Sequence, residues 1–494
     1  MNALARIFHS LSRRHDHSSA RDRSSGKNRR ICGLNASLAL LFFAGCAVGP
    51  DYQRPKVDAP AFKEAGNWKP AEPGEQLPRG KWWEAYGDPL LNGLQDRIEV
   101  SSNTLQVAEA QYRQAQAAAT IAHAALFPSV TADGSASRAR SPARGTSPAS
   151  LGNTFGAGLA ATWEFDVWGR VRRGAEVGRA EEEASAADLE SVRLSLHATL
   201  AQTYFSLRVA DTEQRLYARI VADYMRSLKM TQNRYAQGVD TRADVAAAEA
   251  QLKTAQAQAI DISLQRSQLE HAIAVLIGQP PAAFSLPPAD LTIQPPVPPA
   301  LIPSQQLERR PDIAGAERRL AAASAGIGVA KAGYFPVISL SGSAGYQGPR
   351  YQSLFNAPNE IWSVGAGAIM PLFEAGKVRA QVAQARAVYE ASLATYRQTV
   401  LAAFQEVEDN LAAAAILAQE AAVQAEALAA ARQSATITLN QYQAGTVSYL
   451  NVVTAQATQL AAEQTAVQLL GRRLNASVTL LKAAGGDWRT PGSP

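Results

Sequence analysis

Displaced against itself by 207–208 residues, the chain falls into register. Ala108-Glu109 meets Ala316-Glu317, Phe127-Pro128 meets Phe335-Pro336, and Gly169 and Arg172 meet Gly376 and Arg379. Asn233-x-Tyr235-x-x-Gly238 then meets Asn440-x-Tyr442-x-x-Gly445, and Gly278 meets Gly485. An offset that holds from Ala108 to Gly278 restricts the fold to architectures made by duplicating one unit. The reading divides the chain into an N-terminal segment at 46–100, a first copy at 101–278 and a second copy at 304–486. Between the copies, 279–303 with its repeated Pro-Pro reads as a linker, and 487–494 is a short tail.

Each copy has the same order: helix, two strands, a very long helix, a glycine turn, and a return helix. Strands are expected at about 128–140 and 154–166, and again at about 336–347 and 361–372. Val130, Ala132, Gly134 and Ala136 alternate with Thr131, Asp133, Ser135 and Ser137; Ile338, Leu340, Gly342, Ala344 and Tyr346 alternate with serines and a glycine. Phe155 to Trp163 and Trp362 to Met370 repeat this period of two, a strand signal. The apolar faces are light, and aromatics gather near the strand ends (Phe155, Trp163, Phe165, Trp168, Trp362, Phe373). Such strands describe the wall of a membrane β-barrel, and four of them cannot enclose an aqueous lumen, so an oligomer is expected. The alternative is an ordinary sandwich.

From Arg170 to Tyr235 there is no proline, and Gly174 and Gly178 fall in the first turns. At 1.5 Å per residue this helix approaches ~100 Å. Its return partner carries Leu252, Ala255, Ala259, Ile262, Leu269, Ile273 and Leu276 at heptad a and d spacing, with Arg266 the one break. Val467, Leu470, Leu474 and Leu481 continue the pattern in the second copy. The expected fold class is mainly α with a membrane β part: two repeats, antiparallel helical hairpins and a short-stranded sheet.

The net charge of +5 is misleading. Residues 1–45 hold seven Arg and one Lys against two Asp, so the remainder is close to neutral and gives no reason to expect nucleic-acid binding. This leader, with an apolar run from Ile31 to Ala44, reads as a secretory signal too short to span a bilayer; no later run reaches the ~18 apolar residues a span needs. Ala44-Gly45-Cys46 is the arrangement at which bacteria attach diacylglycerol to a thiol and then cut before it. A plain signal with an incidental cysteine is the alternative. Ala47, where an Asp would favour the inner membrane, points outward. Only Cys32 and Cys46 are present, and His123, His197 and His271 are scattered over helices. No metal site, cofactor or disulfide framework is expected. With no phosphate loop after a strand and no nucleophile elbow, an enzyme is the least favoured class. Arg309-Arg310-Pro311-Asp312 reads as a helix start with Pro in the first turn, ahead of a phosphate site.

The run Cys46-Ala47-Val48-Gly49-Pro50-Asp51-Tyr52, then Trp82-Trp83 with Gly87-Asp88-Pro89-Leu90-Leu91, and Arg310-Pro311-Asp312-Ile313 with Gly333-Tyr334-Phe335-Pro336, together resemble the NodT-type outer-membrane efflux lipoproteins of the TolC-like group. The resemblance covers residues 46–486. It implies a homotrimer whose twelve strands make one barrel, and a periplasmic helical tunnel docked to an adaptor protein and an RND-class inner-membrane transporter. It implies passive efflux of small toxic compounds. A protein-secretion duct, or a non-porous coiled-coil lipoprotein, is the alternative. Adaptor docking then falls on Gly238, Val239, Asp240 and Thr241 and on Gly445, Thr446, Val447 and Ser448. The periplasmic gate falls on Asp244 linked to Tyr442. A second link loses its basic member at Val447, and the family's constriction aspartates are replaced by Asn451 and Thr454.

Overall fold

Proline-free runs of Ala, Leu, Gln, Glu and Arg are strong helix formers, and they set the dominant elements of this chain. The computed structural model describes residues 47–55, 80–143, 145, 149–296 and 310–486. The leader, Cys46, Arg309, part of the linker and the tail lie outside the described residues. Seven helices follow a short 3-10 turn at Trp82–Tyr86 among the described residues: α1 (Pro89–Ser101), α2 (Asn103–Ala124), α3 (Arg170–Ala236), α4 (Arg242–Leu276), α5 (Pro311–Ala332), α6 (Lys377–Gln443) and α7 (Tyr449–Ala483). Four strands, β1 (Ser129–Ser141), β2 (Ser150–Glu164), β3 (Val337–Gly348) and β4 (Glu360–Ile369), sit between α2 and α3 and between α5 and α6. Corresponding helices match residue for residue: 22 in α2 and α5, 67 in α3 and α6, and 35 in α4 and α7. The duplication read from the sequence is therefore structural.

The long helix α3 is flanked by α2 and α5 along one half and by α4 and α7 along the other, while α6 packs on α5 and α7. Alanine and glycine allow the close approach: a Cβ on Gly178 would lie 2.9 Å from Ala122, and one on Gly471 would lie 2.6 Å from Val209. By length and composition α6 carries an 18-residue stretch apolar enough to cross a membrane, which the count of unbroken apolar runs missed because alanines supply it; only 6% of that window is buried within the chain.

The largest core lies midway, where the N-terminal elements close over α3, α4 and α7. Leu91, Ile98, Leu200, Phe205, Ile273 and Leu474 are fully enclosed there with Trp82, Trp83 and Tyr86 around them. His197 belongs to this core, stacked on Trp83 at 4.3 Å, with its ring nitrogens against Gln95 (2.6 Å) and Glu99 (2.9 Å). Burial lowers its pKa, so the ring is a neutral packing group at pH 7.

Arg266, the break in the heptad, is explained by a buried ion network. Asp211 accepts from Arg208 (2.7 Å) and Arg266 (2.6 Å). Arg266 also reaches Glu270 (3.1 Å) and the carbonyl of Leu286, and Arg208 reaches that of Pro287. The first part of the Pro-rich stretch is thus a packed strap, with Leu286 and Leu291 buried, where the sequence reading expected a linker.

Gly278, just past the end of α4, adopts φ +71° with Ser101 against it. A Cβ there would sit 1.9 Å from the Ser101 carbonyl oxygen, and the bond from Ser101 Oγ to the Ile277 carbonyl (2.7 Å) would be lost. Gly278→Ala should therefore destabilise the fold by at least about 2–3 kcal/mol. Gly376→Ala, at φ +86° with nothing within 4 Å, should carry only the backbone cost of about 1–2 kcal/mol. Thermal unfolding of the detergent-solubilised variants compares the two, and equal losses would contradict the contact.

The strands form one antiparallel sheet in the order β1-β2-β3-β4. Its register puts every expected apolar residue on one face. Ala132 faces Leu159, which faces Ala344, which faces Trp362; Ala161 faces Gly342, which faces Val364. The other face is small and mainly polar, with Ser137 opposite Thr154, Asp133 opposite Gly158, Gly158 opposite Gly345 and Ser343 opposite Ser363, and with branched apolar residues only toward the ends of its last two strands, at Val337 opposite Ile369 and at Ile361. Neither face is covered by the chain, and Val130, Leu159, Trp362 and Val364 are more than half exposed. β1 and β4 are unpaired edges. β4 stops at Ile369 because Met370 is followed by Pro371, which has no N–H to give to a ladder.

Candidate functional site

At the far end of the long helices the two hairpin turns lie side by side. Gly238 (φ +74°) and Gly445 (φ +79°) supply the left-handed residue that stops α3 and α6. The amide of Gly238 donates to Tyr235 (2.9 Å) and that of Val239 to Arg234 (2.9 Å). α4 restarts through a capping box. Thr241 Oγ1 accepts from the Asp244 amide (3.2 Å), and the Asp244 carboxylate accepts from the Thr241 amide (3.0 Å) and hydroxyl (2.6 Å). In the second copy Ser448 occupies the N-cap without a side-chain bond, and Thr446 Oγ1 donates to the Gln441 carbonyl (2.9 Å).

The Asp244 carboxylate is therefore engaged in its own helix start, and the chain does not bring it to Tyr442. Asp240 takes that place. The buried Tyr442 hydroxyl donates to Asp240 and lies 3.2 Å from Thr231 Oγ1. Arg234 pairs with both Asp240 oxygens (3.1 and 3.2 Å), donates to the Tyr442 carbonyl (3.3 Å) and lies over the Tyr442 ring at 4.7 Å. Sequence reasoning missed Arg234 and Thr231. Tyr449, 5.4 Å from Tyr442, completes a small apolar knot with Ala248 and Val452, onto which Val447 also packs. Asn451 and Thr454 lie on the exposed side of α7, where Thr454 Oγ1 is spent on the Leu450 carbonyl (3.0 Å).

Burial, aided by the bond to Asp240, pushes the Tyr442 phenol up to about 12. The sign follows from the raised value: the contribution is complete below the ordinary tyrosine range near 10 and is lost only as pH rises through about 12. The bond from Tyr442 to Asp240 is therefore intact with respect to this tyrosine at neutral pH.

Further along the tunnel Glu463, buried on α7, holds Arg219 of α3 (2.7 Å) and Arg432 of α6 (2.8 Å). Burial pushes its carboxyl up, but Arg432, Gln459 and Arg219 outweigh that and hold it below its ordinary value. At the start of α5, Arg310 is consumed by Asp312 (2.8 Å), Glu406 (2.8 Å) and the Ala483 carbonyl (3.2 Å). It ties a helix start, as the sequence suggested, and has no free edge for a phosphate. No group of His, Cys, Asp and Glu able to hold a metal occurs among the described residues.

Paired long helical hairpins, a two-faced strand sheet at one end and a pair of turns bonded to each other at the other are the parts of a helical-tunnel export channel. The chain belongs to the outer membrane efflux protein family, whose model matches residues 94–279 and 302–486. It is similar to the pyoverdine export outer membrane protein OpmQ of Pseudomonas aeruginosa, with 34% identity over 83% of this chain and 88% of that one. It is also similar to the toluene efflux pump outer membrane protein TtgI of Pseudomonas putida, with 31% identity over 91% and 97% of the two chains. Among solved structures, the outer-membrane channel OprN superposes with a TM-score of 0.83 at 31% identity, covering 90% of this chain and all of that one.

Proposed function

We propose that three copies of this chain form a passive duct in the outer membrane, the exit of a tripartite efflux system for small toxic compounds. One observation carries the reading: a four-stranded sheet with an uncovered apolar face, a polar opposite face and two unpaired edges. In hydrocarbon each unpaired edge group costs several kcal/mol, and joining β4 of one copy to β1 of the next removes the edges. Three copies give a twelve-stranded barrel, apolar side to lipid and serine–glycine side to the lumen. The uncovered alanine-rich side of α6 supplies the matching helical contact between copies. The turns at 238–241 and 445–448 receive a periplasmic adaptor, which joins the duct to an RND-class transporter in the inner membrane. The names of the relatives, pyoverdine export and toluene efflux, favour small-molecule cargo over secreted protein. The role is conduction, without catalysis.

The test is native mass measurement together with planar-bilayer recording. A trimer that conducts is expected. A folded, non-conducting monomer would leave only the coiled-coil scaffold.

Cys46 is assigned as the acylated N-terminus of the mature chain. Cys46→Ser should remove palmitate label and peptidase processing while the barrel keeps the protein in the membrane, since a spanning barrel needs no lipid anchor to stay inserted. Unlabelled wild-type protein would end this assignment.

A further inference from the structure

We propose that the groove between α5 and α6, at the base of the sheet, seats the phosphodiester headgroup of an anionic phospholipid from the periplasm-facing leaflet. The proposal rests on the outer-membrane reading above. The groove has a volume of about 610 Å3 and is lined by Lys331, Tyr334, Phe335, Arg379, Arg386 and Val48. Among the described residues none of the three cations has an acidic or hydrogen-bonding side-chain partner.

Its height in the fold matches a headgroup. Phe335-Pro336 leads directly into β3, and Phe335 stacks on Trp168 at 4.6 Å. The Trp168 indole donates to the Pro336 carbonyl (2.8 Å), and its own carbonyl accepts from the Val48 amide (2.9 Å). Aromatic rings at this level are the mark of a membrane–water interface.

The internal repeat supplies a control. The equivalent groove in the first copy, about 470 Å3 between α2 and α3, is lined by Glu176, Arg179 and Glu182 with His123. Its arginines are neutralised: Arg179 by Glu183 (3.0 Å), and Arg172 beside it by Asp166. At the corresponding positions the second copy keeps Arg386 and Arg379 but has Ala383 for Glu176, Tyr389 for Glu182 and Phe373 for Asp166. Glu390, the counterpart of Glu183, makes no pair with Arg386. Three of the four acids of the first copy are thus replaced in the second, and the fourth is not paired with its arginine. Two guanidinium forks and an ammonium around an aromatic edge suit a phosphodiester, with its acyl chains passing up the apolar face of the sheet.

The mature protein, in mixed micelles of phosphatidylglycerol and phosphatidylethanolamine, is examined by native mass spectrometry. Each basic residue near an anionic surface is worth about fivefold, so wild type should retain phosphatidylglycerol at least about tenfold over phosphatidylethanolamine. Arg379→Gln with Arg386→Gln should abolish the preference. So should Ala383→Glu, which restores the acid of the first copy at an exposed position. Glu176→Ala in the other groove should leave it unchanged. Equal retention of both lipids by wild type, or an undiminished preference in Ala383→Glu, overturns the proposal. Displacement of the lipid by an equal concentration of soluble glycerol phosphate overturns it in favour of a free-phosphate site. The same spectra give the assembly mass, so failure of the trimer reading is seen separately from failure of lipid selection.

Discussion

Asp211→Ala should destabilise the middle of the tunnel by about 3–5 kcal/mol, the usual loss when one member of a buried ion network is removed. Asp211 is fully enclosed and faces two guanidiniums, Arg208 and Arg266, which are almost as deeply set. It also accepts the Ala289 amide (3.1 Å), while Glu270 accepts the Leu286 amide (2.5 Å). Without the carboxylate, Glu270 alone remains to balance two buried cations, and the strap from Phe284 to Leu291 loses its tie to α3. Asp211→Asn keeps an acceptor for the amide but not the charge, so it should fall between wild type and alanine. Limited proteolysis reads the effect directly: cleavage within residues 284–296 should accelerate in the order wild type, asparagine, alanine. Equal resistance of all three would mean that the apolar contacts of Leu286 and Leu291 hold the strap unaided.

The architecture was largely legible because its signals are periodic. A shift of 207–208 residues survives as equal helix lengths in both copies, and the period of two in four separate segments became a single register with one apolar face. What stayed hidden depends on contacts distant in sequence. Arg266 broke a heptad for no reason visible along its own helix, because its partner Asp211 lies 55 positions earlier. Residues 284–291 read as linker because prolines and short side chains suppress any pattern, although two carboxylates and two guanidiniums, Asp211, Glu270, Arg208 and Arg266, satisfy their backbone. At the turns, counting from the glycine selected Asp244. Thr241-x-x-Asp244 is itself a capping box, which commits that carboxylate to a helix start and leaves Asp240 for Tyr442.

Tyr442→Phe and Asp240→Ala should each raise the resting conductance of the duct, and together they should do little more than either alone. The hydroxyl of Tyr442 joins α6 to the turn before α4 through one charge-assisted bond, and Arg234 clamps the same carboxylate from α3. A hydrogen bond to a charged group is worth about 1.5–3 kcal/mol, so its loss should shift the open-to-closed ratio by about tenfold or more, before threefold repetition in a trimer. Asp240→Ala should be the more damaging single change, because it also strands the half-buried Arg234. Asp244→Ala removes a cap worth about 0.5–2 kcal/mol and frays the first turn of α4. It shares no bond with Tyr442, so its effect should simply add to that of Tyr442→Phe. Planar-bilayer recordings of the three single and two double variants complete both cycles. Coupling of Tyr442 to Asp240 with additivity to Asp244 is the expected pattern. The reverse pattern would restore Asp244 as the gate residue, and wild-type conductance in all five variants would place the gate away from the turns.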